Sequence, residues 1–278
     1  MSDRYAVFGN PVSHSKSPAI HAAFAAACNQ DLAYEAILAP QDGFADCVRA
    51  FVAGGGCGAN VTLPFKREAC RLATRLTPRA RLAGAVNTLS FDAPEWLGDN
   101  TDGAGLLRDL THNLGCPIAG MRVLLLGAGG AARGVLGPLL DAGPRRLVIA
   151  NRTEASAHEL AVRMRSGGEV SGCSYPQLAG QSFDLLINAT SASLAGASLP
   201  LPNGLFAPGS LAYDMMYGEQ ETPFLRLAGS RGAARLADGL GMLVEQAAEA
   251  FRLWRGVRPA TASVMAMLRS GDRQTGSR

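Results

Sequence analysis

The fold of this chain is decided by the stretch Met121-Arg-Val-Leu-Leu-Leu-Gly-Ala-Gly-Gly-Ala-Ala-Arg-Gly134, which is followed by Arg146-Leu-Val-Ile-Ala-Asn-Arg-Thr153. An apolar strand pattern runs into a glycine turn, the turn opens a helix pattern, and a second apolar strand follows. The spacing Gly127-x-Gly129-x-x-Ala132 is typical of a dinucleotide-binding turn, because the first glycine allows a tight bend and the second lets backbone amides approach a pyrophosphate. The N-terminus of the helix then offers unpaired N–H groups to the phosphates.

The end of the second strand indicates which dinucleotide is bound. An NAD-binding unit usually ends this strand on Asp or Glu, whose carboxylate bonds the ribose 2′-hydroxyl. Here the strand ends at Asn151, with Arg152 beside it. A carboxylate would repel a 2′-phosphate, whereas a guanidinium can bind one with two hydrogen bonds. The sequence therefore predicts NADP rather than NAD as the cofactor.

Composition indicates an ordinary globular protein of two domains. The chain has 278 residues, of which 47% are hydrophobic and 18% charged, and its formal net charge is +3. This charge is too small to indicate a nucleic-acid or membrane partner, and no apolar run approaches the ~20 residues of a membrane span. The N-terminal residues show no signal-peptide pattern, so we expect a cytoplasmic protein whose partner is a small-molecule substrate.

Cysteine spacing argues against a metal or redox site. The six cysteines lie far apart in sequence, without a Cys-x-x-Cys pair. Zinc sites and redox motifs usually show such spacing, so we expect reduced thiols and no bound metal.

Strand and helix patterns alternate through the first hundred residues. Tyr5-Ala-Val-Phe8 and Gly84-Ala-Val-Asn-Thr-Leu-Ser-Phe91 read as strands, and Pro18 stands in the first turn of a helix pattern. Alternation of this kind implies an α/β domain of parallel strands with crossover helices. Near the C-terminus, 239–255 and 261–268 read as helices that pack back on this first domain, and a polar tail follows.

Polar residues in four segments of the first domain are hard to explain by folding alone; the segments are 9–18, 58–66, 85–88 and 98–103. Each has a structural interpretation too: Ser17 as a helix N-cap, Lys66 as a solvated helix residue, Asn87 as an amide with a structural partner, and Asp102 as a helix cap. Ser15 and Ser17 can present both hydroxyls to one anionic group near a helix N-terminus.

Together these four segments indicate one ligand site. Loops that follow the carboxyl ends of parallel strands meet at one edge of a sheet, where ligands bind. That edge would collect hydroxyls, amides, one lysine and one aspartate, which suits a polyhydroxylated carboxylate. Lys66 and Asp102 form a plausible acid/base pair for carbonyl–alcohol interconversion, because hydride transfer needs a proton exchanged at the oxygen.

Nine motifs follow one another along the chain. The first four are Gly9-Asn-Pro-Val-Ser-His-Ser-Lys-Ser-Pro18, Asn60-Val-Thr-Leu-Pro-Phe-Lys66, Gly84-Ala-Val-Asn-Thr88 and Asp99-Asn-Thr-Asp-Gly103. The other five are the glycine turn, Asn151-Arg-Thr153, Asn188-Ala-Thr-Ser191, Tyr213-Asp-Met-Met-Tyr217 and Asp238-Gly-Leu-Gly-Met-Leu-Val-Glu-Gln246. In this order they resemble the motifs of the shikimate dehydrogenase family, and the likeness covers residues 4–268.

The resemblance implies an N-terminal α/β substrate domain and a Rossmann-like NADP-binding domain, with the C-terminal helices returning to the first. We expect the substrate-binding catalytic domain over residues 1–102, completed by 238–270. The NADP-binding domain would span 103–237, and 271–278 would be a flexible tail. The implied activity is the reversible NADPH-dependent reduction of 3-dehydroshikimate to shikimate, a step in aromatic amino-acid (chorismate) biosynthesis, by a monomer or homodimer.

The resemblance also implies residue roles. Ser15 and Ser17 would hold the substrate carboxylate, and Lys66 and Asp102 would be the catalytic pair. The rest of the substrate pocket would be lined by Thr62, Asn87, Tyr217 and Gln246. The cofactor would be bound by Gly127, Ala128, Gly129, Gly130, Ala131, Asn151, Arg152, Thr153, Thr190, Met215 and Gly239.

One position departs from the family pattern. The family often carries a second basic residue a few positions after the Asn-Arg-Thr arginine, and this chain has Glu154, Ala155 and Ser156 there. A charge-assisted hydrogen bond contributes about 1.5–3 kcal/mol. We therefore expect a weaker preference for NADP than is usual in the family, with the preference itself retained.

Two alternatives remain, of which the first is another enzyme and the second belongs to a different class. A quinate/shikimate dehydrogenase that uses NAD tends to end the second strand on an acidic residue and to vary the second serine of the carboxylate loop. A catalytically silent NADP-binding regulator of the same fold would be expected to lose the lysine or the aspartate. Asn151, Arg152 and Ser17 disfavour the first alternative, and Lys66 with Asp102 disfavours the second.

Overall fold

The chain divides into two compact units. A computed structural model describes residues 2–92, 94–164, 169–190, 192 and 198–275, with side chains described through residue 270. The first unit extends to Gly105 and includes Leu243–Gly271, and the second runs from Leu106 to Met242. Within the described ranges, no helix is long and apolar enough to cross a membrane.

The first unit is built on a six-stranded sheet with the order β2-β1-β3-β5-β6-β4. β1 pairs in parallel with β2 and β3, and β4 pairs in parallel with β6. Its first elements are β1 (Asp3–Gly9), α1 (Ser17–Ala27), β2 (Leu32–Leu38), α2 (Phe44–Ala53), β3 (Gly56–Val61), α3 (Lys66–Leu72), β4 (Arg75–Leu76), α4 (Pro78–Ala83), β5 (Thr88–Asp92) and β6 (Glu95–Asp99).

The expectation of parallel strands throughout this unit is wrong. β5 is antiparallel both to β3 and to β6. The predicted strand over 84–91 is in fact the start of a hairpin, because Asp92 and Glu95 are too close in sequence for the crossover that parallel neighbours need. The reversal brings Thr88, at the start of β5, opposite both Asn60 of β3 and Asp99 of β6.

Aromatic packing fills the core of the first unit. Phe8 and Phe44 are wholly buried, and Phe44 stacks on Phe65 with ring centroids 4.7 Å apart. Phe8 also meets Phe51 edge to face at 5.6 Å. Each such side chain contributes about 1.5–3 kcal/mol through burial, so α2 and the start of α3 are fixed on the sheet.

The second unit is a Rossmann-like sheet of six parallel strands with the order β12-β11-β10-β7-β8-β9. Read from β9, this is the 3-2-1-4-5-6 order of dinucleotide-binding domains. After α5 (Asp102–Arg108) and a π-helical turn over Asp109–Asn113, its elements are β7 (Arg122–Leu126), α6 (Gly130–Asp141), β8 (Arg146–Ala150), α7 (Glu154–Arg163), β9 (Val170–Cys173), β10 (Phe183–Asn188), β11 (Phe206–Asp214), α8 (Pro223–Ser230) and β12 (Arg235–Ala237).

Strand β7 shows why this sheet forms where the apolar run predicts it. Val123 and Leu125 face one core cluster, while Leu124 and Leu126 face the other. Successive side chains of a strand point to opposite faces, so a continuous apolar run is buried on both sides. The α/β fold with a Rossmann-like second domain is confirmed.

The C-terminal helices are α9 (Leu240–Arg255) and α10 (Ala262–Thr275). Trp254 of α9 donates from Nε1 to the carbonyl of Leu89 at 2.9 Å, and its ring lies 4.7 Å from that of Tyr5. The expected return of these helices to the first domain is therefore confirmed. Helix α10 extends beyond Leu268 to Thr275, whereas the sequence suggested a polar tail there.

Candidate active site

The loop between β1 and α1 carries the two serines predicted to bind a carboxylate. Ser17 is buried and is the first residue of α1, where it is followed by Pro18. Its side chain does not cap the helix, because the capping position is Lys16 and no side-chain cap bond is formed there. Ser15 Oγ instead accepts from the backbone N–H of Ser17 at 3.3 Å. The interpretation of Ser17 as a simple N-cap is thus wrong.

Lys66 and Asp102 form a close ion pair. Lys66 Nζ lies 2.5 Å from Asp102 Oδ2, and the two side chains are 17% and 6% exposed. Lys66 is the first residue of α3 and Asp102 the first residue of α5, so each lies at a helix N-terminus. Neither structural interpretation from the sequence holds. Lys66 is not a solvated helix residue, and the carboxylate of Asp102 pairs with the lysine and does not serve only as a helix cap.

The Asn87 amide fixes the orientation of Asp102. Asn87 Oδ1 accepts from the backbone N–H of Thr101 at 2.8 Å, and this donor identifies which end of the amide is oxygen. The NH₂ end therefore faces Asp102 Oδ1, at 2.7 Å, and Gln246 Oε1, at 3.2 Å. Asn87 is 2% exposed, so its polar atoms need these partners.

The same network continues into the sheet. Thr88 Oγ1 donates to Asn87 Oδ1 at 2.9 Å and accepts from Asn60 Nδ2 at 3.1 Å. Asn60 Oδ1 in turn accepts from the Tyr34 hydroxyl at 2.7 Å. A chain of hydrogen bonds thus runs from β2 through β3 and β5 to the Lys66–Asp102 pair, and buried networks that are fully satisfied hold one arrangement.

A second group of charged side chains, Asp99, Arg79 and Glu249, holds the segment that leads to Asp102. Asp99 is 2% exposed in its side chain and accepts from Arg79 Nη2 at 2.5 Å and from Thr77 Oγ1 at 2.6 Å. Arg79 also lies 3.2 Å from Glu249 of α9. Burial alone would raise the pKa of Asp99, but the guanidinium and the Thr77 hydroxyl hold it below its ordinary value. Asp99 is therefore ionised, and it fixes the end of β6.

Sequence reasoning missed Thr88, Thr101, Arg79 and Asp99 as contributors to this arrangement. The available signal was the run of polar residues over 99–102, all of which are buried. Polar residues in such a run need partners, and the partners come from distant segments that no local pattern connects.

His21 is the one histidine of this region that the structure places in the core. Its ring stacks on Tyr34 with centroids 4.2 Å apart, and the side chain is wholly buried. Burial lowers the pKa of His21 to about 3, so the ring stays uncharged at neutral pH. It therefore packs as an aromatic ring.

In the second unit the glycine turn is open where a pyrophosphate would lie. Gly127 has a φ of +106°, and a Cβ there would lie 3.1 Å from the methyl group of Thr190. A Cβ on Gly129 or Gly130 would meet nothing within 4 Å. The space beside these two glycines at the start of α6 is therefore free, which leaves room for a bound dinucleotide phosphate.

The end of β8 leaves a guanidinium exposed. Asn151 Nδ2 donates to the carbonyl of Thr153 at 3.0 Å, which closes the turn around Arg152. Arg152 is exposed, and within the described ranges it has no carboxylate as an ion-pair partner. An exposed, uncompensated guanidinium beside the adenosine end of a dinucleotide site fits a 2′-phosphate.

The other predicted cofactor residues also follow carboxyl ends of the parallel strands. Thr190 follows β10, and its hydroxyl donates to Asn188 Oδ1 at 2.7 Å. Met215 and Tyr217 follow β11 and are half-buried. Gly239 follows β12 and packs on the backbone of Met215, leaving no room for a Cβ. This close approach explains the glycine independently of any ligand. Ser191 lies outside the described residues.

A glycine turn on a Rossmann-like sheet, together with a buried lysine–aspartate pair in an α/β unit of the same chain, defines a nucleotide-dependent oxidoreductase. Comparison with known families narrows this class. Residues 7–89 match the shikimate dehydrogenase substrate binding domain, 109–195 match shikimate/quinate 5-dehydrogenase, and 239–269 match the shikimate 5′-dehydrogenase C-terminal domain.

Individual relatives agree over nearly the full chain. Shikimate dehydrogenase (NADP(+)) of Dechloromonas aromatica (strain RCB) is 67% identical over 270 residues, covering 97% of this chain and 98% of the relative. The protein of the same name from Nitrosospira multiformis is 63% identical, with the same coverage. The crystal structure of shikimate 5-dehydrogenase from Thermus thermophilus in complex with NADP(H) and shikimate is 34% identical, with a TM-score of 0.84 over 98% of this chain and 99% of that one. The chain belongs to the shikimate dehydrogenase family.

The Asp99–Arg79 pair generates a stability prediction. Asp99→Ala removes the main partner of Arg79, which keeps its longer contact with Glu249, so the free energy of unfolding should fall by about 1–3 kcal/mol. Urea unfolding at neutral pH measures this loss. The control is Glu95→Ala, which breaks the exposed pair with Arg75 and should cost less than about 1 kcal/mol. Equal losses in the two variants would contradict the account.

Proposed function

We infer that this chain is an NADP-dependent shikimate dehydrogenase, which catalyses the reversible reduction of 3-dehydroshikimate to shikimate in aromatic amino-acid biosynthesis. The observation that carries the inference is the buried Lys66–Asp102 pair, 2.5 Å apart, within the region that matches the family's substrate binding domain. The identity of 67% to a relative named for NADP and shikimate supports the same conclusion.

The first unit, with α9, would bind the substrate. Ser15 and Ser17, beside the N-terminus of α1, supply hydroxyl donors for a carboxylate, which the helix dipole also favours. Thr62 lies next to this loop, since a Cβ on Gly9 would collide with its methyl group. Asn87 and Gln246, which share a hydrogen bond, would position ring hydroxyls. Tyr217, in the second unit, is proposed as a further substrate contact.

Lys66 and Asp102 would exchange the proton at the reacting oxygen. As a carbonyl is reduced, negative charge develops on its oxygen, and an ammonium within hydrogen-bond reach can stabilise that charge and supply a proton. Lys66 Nζ carries such protons, and Asp102 holds the ammonium in place. In the oxidative direction the neutral amine of Lys66 would accept the proton of the hydroxyl and become the ammonium that Asp102 holds. Because Asp102 is itself held by Asn87, little reorganisation is needed during the reaction.

The second unit would bind NADP, which supplies or accepts the hydride when bound. Backbone amides of residues 127–131 would hold the pyrophosphate at the start of α6. Asn151, Arg152 and Thr153 would surround the 2′-phosphate, with Arg152 as the charged contact. The remaining contacts would come from Thr190, Met215 and Gly239, which follow the neighbouring strands β10, β11 and β12.

The direct test of this function is a set of four assays. The appearance of reduced nicotinamide is followed with shikimate or quinate, each paired with NADP or NAD. The highest kcat/KM should be obtained with shikimate and NADP, because Arg152 favours the phosphorylated cofactor. A highest value with quinate and NAD would contradict the proposal, and the absence of turnover in all four would favour a binding protein.

Lys66→Ala tests the proton-transfer role. Loss of the ammonium should lower kcat by about a hundred- to ten-thousandfold. The dissociation constant of NADP should not change, because Lys66 belongs to the first unit. Arg67→Ala is the matched control: Arg67 is the next residue of the same helix and is exposed, so its loss should leave kcat near that of the unmodified chain. Near-normal turnover of Lys66→Ala would remove the lysine from the mechanism.

A further inference from the structure

Glu154 poses an electrostatic problem for the proposed cofactor site. It is the first residue of α7 and stands two positions after Arg152. A free carboxylate there could pair with the guanidinium or repel a 2′-phosphate, since unit charges a few ångströms apart interact appreciably even in water. The position of the carboxylate therefore matters for the choice between NADP and NAD.

The structure shows Glu154 bound elsewhere. Its Oε1 accepts from Gln177 Nε2 at 3.1 Å and lies 3.2 Å from His158 Nε2 on the next turn of α7. The hydrogen bond from Gln177, followed by that from His158, lowers the pKa of Glu154, so the group is a carboxylate at neutral pH. Both partners follow Glu154 in the sequence, whereas Arg152 precedes it.

Gln177 is itself held in one orientation. Its Oε1 accepts from the backbone N–H of Ser174 at 2.7 Å and from the Ser174 hydroxyl at 2.9 Å. A backbone N–H can only donate, so the oxygen end of the amide is identified and the NH₂ end must face Glu154. Gln177 lies in a short 3₁₀ turn over Pro176–Leu178, after β9, the strand next to β8.

We propose that Gln177 is a cofactor-specificity residue, which retains the Glu154 carboxylate and so leaves the guanidinium of Arg152 uncompensated for a 2′-phosphate. Among the described residues, the hydrogen bonds of Gln177 go to Ser174, Glu154 and Gln181, so it would act on Arg152 through Glu154. The proposal rests on the inferred use of NADP. The weaker preference for NADP expected from the missing second basic residue stays a prediction. The proposal concerns only the part of that effect that Glu154 itself would add.

Direct binding of NADP⁺ and NAD⁺ to the full chain, measured by titration calorimetry, tests the proposal without relying on turnover. Gln177→Ala leaves the exposed His158 as the remaining partner of the Glu154 carboxylate, which is then less tightly held. NADP⁺ binding should weaken about three- to tenfold, with NAD⁺ binding within about twofold of its original value. Glu154→Gln alone should change either affinity by less than about twofold. The double variant Glu154→Gln with Gln177→Ala should bind NADP⁺ as tightly as the unmodified chain, because the released group is then uncharged.

Two further variants control the experiment. Gln181→Ala removes the hydrogen bond from Gln181 Nε2 to the backbone carbonyl of Gln177 but keeps the Gln177 side chain, so both affinities should be retained. Arg152→Asp should weaken NADP⁺ binding far more than NAD⁺ binding. Equal weakening of both cofactors there would overturn the 2′-phosphate assignment, and with it the role of Gln177. If Arg152→Asp behaves as expected, two results would overturn the role of Gln177 alone. One is an unchanged NADP⁺ affinity in Gln177→Ala, and the other is failure of the double variant to restore that affinity.

Discussion

The hydrogen bond from the backbone N–H of Thr101 to the side-chain oxygen of Asn87 is the constraint on which the candidate active site depends. It turns the amide so that its NH₂ group faces Asp102, and Asp102 then holds the ammonium of Lys66. Each partner is largely buried, so an alternative arrangement would leave a donor or a charge unpaired, at a cost of about 1–3 kcal/mol for a neutral group and more for a charged one. The ion pair is therefore preorganised, which is what proton exchange at a developing alkoxide requires.

The mixed sheet of the first unit makes this constraint possible. Had β5 run parallel to β3, its N-terminal end would lie at the opposite edge, and Asn87 could not reach the residues that follow β3. The hairpin of β5 and β6 instead returns the chain to the same edge, where Asp99 is anchored by Arg79 and Thr77. The second unit places its candidate site differently. The six strands of its sheet are parallel, and the glycine turn follows the first of them, β7.

The sequence predicted the parallel sheet of the second unit well. The apolar run over 121–126 and the glycine spacing after it are local signals with one physical interpretation. The sequence also singled out Lys66, Asn87 and Asp102 as candidates, because polar residues inside apolar segments stand out. The structure brings these three side chains into contact, and their roles in catalysis stay predictions. The sequence did not predict that β5 runs antiparallel to its neighbours, because that direction depends on a short hairpin between β5 and β6. Nor did it predict that Arg79 and Gln177 matter, because their partners, Asp99 and Glu154, are twenty or more positions away and are found only by folding.

A double-mutant cycle on kcat for shikimate oxidation by NADP tests most directly whether Lys66 and Asp102 act as one unit. The variants are Lys66→Ala, Asp102→Ala and the two combined. If the aspartate acts through the lysine, kcat of the combined variant should lie within about threefold of kcat of the slower single variant. Once one member of the pair is lost, removal of the other has little further effect. If the two losses multiply in the combined variant, the residues act independently and the account of a preorganised pair is contradicted.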